Sequence, residues 1–330
     1  MEQFDIPVVL FIFKRDKAVQ IMERIAQVRP KKLYIMADHG RNEQEKALAE
    51  ECRRKVEAAI TWDCEVVKDY AEENRGVYGN IGQGAIRVLR QEKWAIFLED
   101  DNLPEVSFFP FCKEMLERYE HDTRVLWVCG TNYLGDYVPE NGDSYVFTRH
   151  MLPCGWASWA TKFEKFYDGE LNMTQDPTVM SRIKDVYCNR EVFEQYRASW
   201  MRERYLIQDG KRPISWDYQM DFSIKANNLF GVCPCKNQIR NIGVDQFTTH
   251  GNHQVMTKRL CGMNSYPLTF PLQHPAALLI DPVFEKKIGQ IILYPFKMRN
   301  ILKLSRFLRR VLHVPYDSNI KKHLLKRFKK

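Results

Sequence analysis

Trp94-Ala95-Ile96-Phe97-Leu98-Glu99-Asp100-Asp101-Asn102 joins five apolar residues to three consecutive carboxylates. The apolar run is short and unbroken, the pattern of a strand buried on both faces. Three acids at its end cannot be buried without solvent, cations or hydrogen-bond donors. In open α/β sheets ligands sit beyond the C-terminal ends of the strands. Carboxylates gathered there suit a hard divalent cation that also holds phosphate oxygens. The plainer reading is that the acids only begin the turn before Pro104.

The neighbouring segments supply the rest of a sheet. Val8 to Phe13 is a second unbroken apolar run, followed by Ala18, Ile21, Met22, Ile25 and Ala26 at helical spacing. Leu33 to Ala37 reads as a strand ending at Asp38, and Asn42 with Glu45 resembles a capping box ahead of Leu48, Cys52, Val56 and Ala59. A strand at Cys64 to Val67 leads to a helix over Ile81 to Arg90. A helix over Phe108 to Tyr119 and a strand over Arg124 to Cys129 then follow the acidic strand. Strands alternating with helices in this way predict a doubly wound, mostly parallel α/β sheet. Segment 131–175 is rich in Gly, Asn, Tyr and Trp and reads as loops around a pocket. Helical patterns return near 190–206 and from Ser215 to Asn228.

The chain has 330 residues, 45% hydrophobic and 28% charged, within the range of ordinary globular proteins. No apolar run is long enough to cross a bilayer, and the acidic N-terminus carries no visible secretory signal. Nine scattered cysteines predict reduced thiols in a cytoplasm rather than a disulfide framework. Cys233-Pro234-Cys235 lacks the spacing of a zinc site. The net charge of +8 is unevenly spread. Residues 286–330 hold fourteen Lys/Arg against one acid, Asp317, a balance of +13, which leaves 36 bases and 41 acids, or −5, in residues 1–285. The division predicts one catalytic-type domain over 1–285 and a basic helical tail over 286–330. In the tail, Ile301, Leu302, Leu304, Phe307, Leu308, Val311 and Leu312 alternate with bases as in a helix lying on an anionic membrane surface. The bases are not interleaved with a nucleic-acid-binding motif, so no nucleic acid partner is expected.

Seven segments in order resemble those of the GT-A-fold nucleotide-sugar glycosyltransferases, most of all the branch of N-acetylglucosaminyltransferase I and related bacterial surface-polysaccharide transferases. They are Phe13-Lys14-Arg15, Asp38, Asn74-Arg75-Gly76, Glu99-Asp100-Asp101, Gly155-Trp156-Ala157-Ser158-Trp159, Trp216-Asp217 and Asn241-Ile242-Gly243 with Thr249-His250. The resemblance spans residues 5–255. It implies a GT-A (Rossmann-like) sheet and transfer of a sugar from a UDP-sugar donor to a glycan or lipid-linked glycan. By the same match Asp101 is the Mn²⁺ (or Mg²⁺) ligand, Asp100 faces the ribose or sugar, and His250 completes the metal's coordination. Asp38 then accepts a hydrogen bond from the nucleobase, although His39 stands where the family often has glycine.

Each match has its own physical reading. Arg75 could pair with phosphate oxygens. Trp156 and Trp159, placed in a loop, could stack on sugar rings. Asp217, opening a helix, could take a proton from an attacking hydroxyl, with Asp221 one turn later as the fallback, and the resemblance makes it the general base of an inverting reaction. The expected location is cytoplasmic and peripheral on the inner face of the cell membrane. The competing enzyme is a sugar-nucleotide nucleotidyltransferase, which would want a Gly-rich, Arg-containing loop where Phe13-Lys14-Arg15-Asp16 stands. The competing non-enzyme is a membrane- or sugar-binding protein acting through its tail.

Overall fold

A computed structural model describes residues 3–243 and 254–316, together with Ser318 and Ile320. Thr249, His250 and the last ten residues lie outside the described residues. The strands are β1 (Val8–Ile12), β2 (Lys32–Ala37), β3 (Glu65–Tyr70), β4 (Trp94–Glu99), β5 (Asn102–Pro104), β6 (Val125–Cys129), β7 (Tyr145–Thr148), β8 (Trp156–Trp159), β9 (Phe230–Pro234) and β10 (Ile239–Asn241). Eight of them form one sheet in the order β3-β2-β1-β4-β8-β6-β9-β7, and β5 pairs with β10 beside it. β3, β2, β1 and β4 are mutually parallel, β8 runs against β4 and β6, β9 follows β6, and β7 is reversed again. The result is the expected α/β fold with a mostly parallel sheet and helices on both faces.

The unbroken apolar runs follow from that double cover. Val8, Leu10, Ile12, Ile96 and Leu98 pack into one core with the helices Ala18–Val28 and Phe108–Arg118. Val9, Phe11, Ala95 and Phe97 pack into the opposite core. Alternate side chains of each strand thus meet different helices, and neither face can be polar. Asn42 caps the helix Glu43–Ala58 by accepting from the Glu45 N–H at 2.9 Å. Glu45 reaches back to the Arg41 N–H, one residue beyond the N-cap that a true capping box would bind, and also binds Lys14 at 2.6 Å. The expected helix over Ile81 to Arg90 begins with a π-turn at Tyr78–Gly82 and continues as α-helix over Gln83–Leu89.

Two expectations fail here. Trp156 and Trp159 are not in a loop: they form β8, paired with β4 from Trp94 to Phe97, and each is only 1% exposed. Trp156 stacks between Phe97 (centroids 3.9 Å apart) and Trp127 (4.3 Å), and the Trp159 indole N–H donates to the Leu116 carbonyl at 2.8 Å. Their ring faces are occupied by protein, so neither can stack on a sugar. The boundary expected between residues 285 and 286 also falls inside a helix, Pro282–Ile292. Phe284, Ile288 and Ile292 are buried in the core, so the body extends past it.

Candidate active site

The C-terminal ends of β1, β2 and β4 lie side by side because these strands are parallel and in register, with Phe11 opposite both Met36 and Glu99. The residues that follow each strand converge. Beyond β1 the Phe13 N–H donates to Asp100 Oδ2 at 3.1 Å, and the Arg15 guanidinium bridges Asp100 (3.0 Å) and Asp101 (2.7 Å). β5 pairs Asn102 with Asn241 immediately after the acids, and the Ile242 N–H donates to the Asp101 carbonyl at 2.9 Å. Gly243 is thereby pressed against Asp101: a Cβ at 243 would collide with its carboxylate. Asn102, itself buried, donates to Asp101 Oδ1 at 2.7 Å and accepts from the Gly155 N–H at 2.8 Å. The acidic motif is thus fixed from three directions.

Electrostatically the motif is governed by burial and by the repulsion of like charges. Burial pushes the Glu99 carboxyl well above the usual range, with Asp101, Asp100 and Asp217 adding to the rise against Arg15. Asp100 is pushed up to about 6, again by burial first and Asp101 second, with Arg15 opposing. Arg15 pairs with Asp100 and Asp101, and Asp217 adds a further acid to the field at Glu99.

Asp38 sits at the end of β2 and is 6% exposed. Its four acceptor positions are filled: Oδ1 takes the N–H groups of His39 (2.8 Å) and Arg75 (2.7 Å), and Oδ2 takes the Gly76 N–H (3.0 Å) and the Asn74 amide (3.1 Å). Gly76 has φ +71°, which lets the loop turn its N–H groups inward. Asp38 therefore holds the Asn74–Gly76 loop, and no acceptor position is left over for a nucleobase. The Arg75 guanidinium is ion-paired with Asp69 at 2.7 Å, so its backbone N–H, rather than its charge, serves the site. Asp100, expected to face the donor, accepts from Phe13 and Arg15.

Asp217 opens the helix Asp217–Ala226, and the Ser215 hydroxyl donates to its Oδ1. Trp216 is held by the aromatic stack, 5.5 Å from Trp156, which fixes where that helix begins. Asp221 is the opposite case: it is buried, ion-paired with Lys225 at 2.6 Å and accepts from the Tyr187 hydroxyl at 3.0 Å. It is a structural acid.

Several residues here were not foreseen. Glu203, 0% exposed, accepts from the N–H groups of Ile214 (2.8 Å) and Ser215 (3.3 Å) and so fixes the segment that carries Asp217. The Arg212 guanidinium binds the Asn74 carbonyl, tying that segment to the Asp38 loop. Nothing in the helical pattern around Glu203 marks it. Burial raises the Tyr133 hydroxyl, with Cys154, Cys261 and Asp217 contributing. Arg15 did carry a signal, as part of the Phe13-Lys14-Arg15 segment that follows β1.

All nine cysteines are free. Among the described residues no three His, Cys, Asp or Glu side chains are arranged to enclose a metal. A cation that shares its coordination with substrate phosphates needs only one or two protein carboxylates, however, and the carboxyl oxygens of Glu99 and Asp101 fit that type.

No family model matches the chain, and no curated protein matches its sequence. Among solved structures it is similar to the mannosyltransferase PcManGT of Pyrobaculum calidifontis, determined with GDP-Man and Mn²⁺ (TM-score 0.37, 14% identity, covering 68% of this chain and 70% of that one). It is also similar to mouse xyloside xylosyltransferase 1 in its apo form (0.34, 11%, 82% and 100%). A third is the 4-diphosphocytidyl-2C-methyl-D-erythritol synthase of Anaerococcus prevotii DSM 20548 (0.32, 6%, 50% and 76%).

Proposed function

We propose that this protein is a nucleotide-sugar glycosyltransferase that works with a divalent cation, Mn²⁺ or Mg²⁺, and inverts the anomeric centre. The observation that carries the reading is the gathering of carboxylates at the end of β4. Arg15 pairs with Asp100 and Asp101, and the Asp101, Asp100 and Asp217 carboxylates all raise the Glu99 carboxyl. Such a field attracts a cation and, through it, a diphosphate. Asp101, with Glu99 beside it, would hold the ion. When bound, the cation neutralises charge on the departing nucleoside diphosphate.

The chain's own groups supply the remaining steps. Asp217 takes the proton from the attacking sugar hydroxyl. The Ser215 hydroxyl on one oxygen orients the carboxylate, and the helix N-terminus favours its negative form. Glu203 keeps Ser215 and Asp217 in place, and Asp38 keeps the Asn74–Gly76 loop folded over the strand ends. The preference for UDP, the inverting outcome, His250 as a ligand and the glycan or lipid-linked acceptor of surface polysaccharide synthesis rest on the sequence resemblance alone, now that Asp38 is occupied.

The test is calorimetric titration of UDP-, GDP-, CMP- and TDP-sugars with and without Mn²⁺, on wild type and Asp101→Ala. Metal-dependent binding of one sugar nucleotide, lost in the variant, is the expected result and names the donor. Absence of binding under every condition would remove the transferase reading. Formation of a sugar nucleotide from a sugar phosphate and a nucleoside triphosphate would replace it with the nucleotidyltransferase.

A further inference from the structure

Helix Phe296–Leu312 sits on the protein the wrong way round for a helix of a water-soluble surface. Its polar side faces inward: Arg299 pairs with Glu191 of the helix Arg190–Gln208, and Arg309 donates to the Pro315 and Ser318 carbonyls, at 3.0 Å to the latter. Tyr316, just past its end, packs on Tyr205 of the same supporting helix, with ring centroids 5.3 Å apart. The apolar side faces outward. Phe296, Ile301, Leu304, Phe307 and Val311 are between 56% and 68% exposed. At 100° per residue these five fall within an arc of about 140°, a stripe that also takes in exposed Asn300 and Lys297. No residue of the helix is buried.

We infer that this stripe is a docking surface for an anionic lipid bilayer, with the helix lying flat in the membrane interface. The charge pattern selects this occupant. The helix carries six Lys/Arg and no acid, and exposed Lys303 and Arg310 border the apolar stripe. Lys321–Lys330 adds six more bases in sequence. A second copy of the chain across a two-fold axis would set these bases against themselves, because a symmetric contact pairs like with like. A bilayer rich in phosphate headgroups offers the opposite charge at the rim and hydrocarbon under the stripe. No helix among the described residues is long and apolar enough to cross a membrane, so the contact is at the surface. The inference does not depend on the transferase reading.

The test is co-sedimentation of the full chain with phosphatidylcholine vesicles and with vesicles containing roughly one third phosphatidylglycerol. Sedimentation velocity without lipid and thermal melts run alongside. Partitioning should rise at least about tenfold with the anionic lipid and fall in high salt. Leu304→Ser/Phe307→Ser should lower it by about tenfold with an unchanged melt, because the substituted side chains are exposed. Equal partitioning onto both vesicles, or partitioning indifferent to the double substitution, would overturn the inference. A lipid-free dimer that the double substitution dissociates would overturn it too, reassigning the stripe to self-association.

Discussion

Helices Pro282–Ile292 and Phe296–Leu312 follow one another and carry the same kind of pattern, apolar residues at helical spacing among bases. One faces in and the other faces out. In the first, Asp281 caps the start, Phe284, Ile288 and Ile292 enter the core, and Glu285 is buried with them. That acid is tolerated because donors wait for it: the Thr148 hydroxyl at 2.5 Å and the Arg149 N–H at 3.1 Å, both at the end of β7. In the second, Arg299 and Arg309 are turned to the body and no residue is buried. Amphipathicity says that a helix has an apolar face, not what the face meets. The sequence drew both into one tail because it weighed charge, whereas the fold divides them by which side finds a core.

The sharpest way to break this contrast is to cut the chain on either side of it. Ending the protein after Tyr294 should leave the fold and any sugar-nucleotide binding intact, with a melt near that of the full chain. Ending it after Glu285 removes Ile288 and Ile292. Each buried isoleucine is worth about 2–5 kcal/mol, a large part of the roughly 5–15 kcal/mol that holds a domain together. That shorter chain should fail to give a cooperative thermal transition, and matching melts for the two truncations would abolish the distinction. A single substitution asks the same question on a smaller scale. Phe284→Ala should cost about 3–5 kcal/mol by urea denaturation, since its ring is fully buried and packs edge-on against Tyr137.

The buried anchor of the first helix also makes a pH prediction. The His150 imidazole meets the Glu285 carbonyl at 3.0 Å, and its pKa is lowered below 6.5. Burial is the main cause. Lys225 adds to it, while the Glu285 and Asp221 carboxylates oppose. A depressed histidine pKa means the unfolded chain binds the proton more readily. Its contribution to stability is therefore complete above 6.5 and lost as pH falls from there through the folded value. The slope cannot exceed about 1.4 kcal/mol per pH unit. Urea midpoints from about pH 8 to about pH 5 should fall in wild type, and His150→Gln should remove the part of the fall that begins near 6.5. An unaltered profile in the variant would mean that other groups carry the acid sensitivity.

What the sequence revealed follows the range of the interactions involved. The strands β1, β2, β4 and β6 were legible because each is an unbroken apolar run buried on both faces. Asp101 and Asp217 were legible as acids at a strand end and a helix start. β8 was not: four residues between a glycine and a helix look like a loop, and only pairing with distant β4 makes Trp156 and Trp159 a strand. Asp38 illustrates the same limit. Its place at the end of β2 could be read locally, but its four donors include Asn74, Arg75 and Gly76, brought in by the fold. Glu203 was invisible for that reason as well, since its partners Ile214 and Ser215 belong to the next segment.

The smallest expected effect sharpens the contrast most. Phe307 has the same ring as Phe284, lies in an equally regular helix and is 62% exposed. Phe307→Ala removes an apolar surface that water already reaches, leaves no cavity and breaks no described hydrogen bond. Its stability cost should stay within about 0.5 kcal/mol, against the several kcal/mol expected at Phe284. Urea denaturation of the two variants side by side, without lipid, makes the comparison direct. A loss at Phe307 approaching that at Phe284 would mean that the outward face is covered in solution, by another copy or by the rest of the chain. A negligible loss would leave that phenylalanine with no role in holding the monomer together. Its conspicuous exposure would then call for a partner outside the chain.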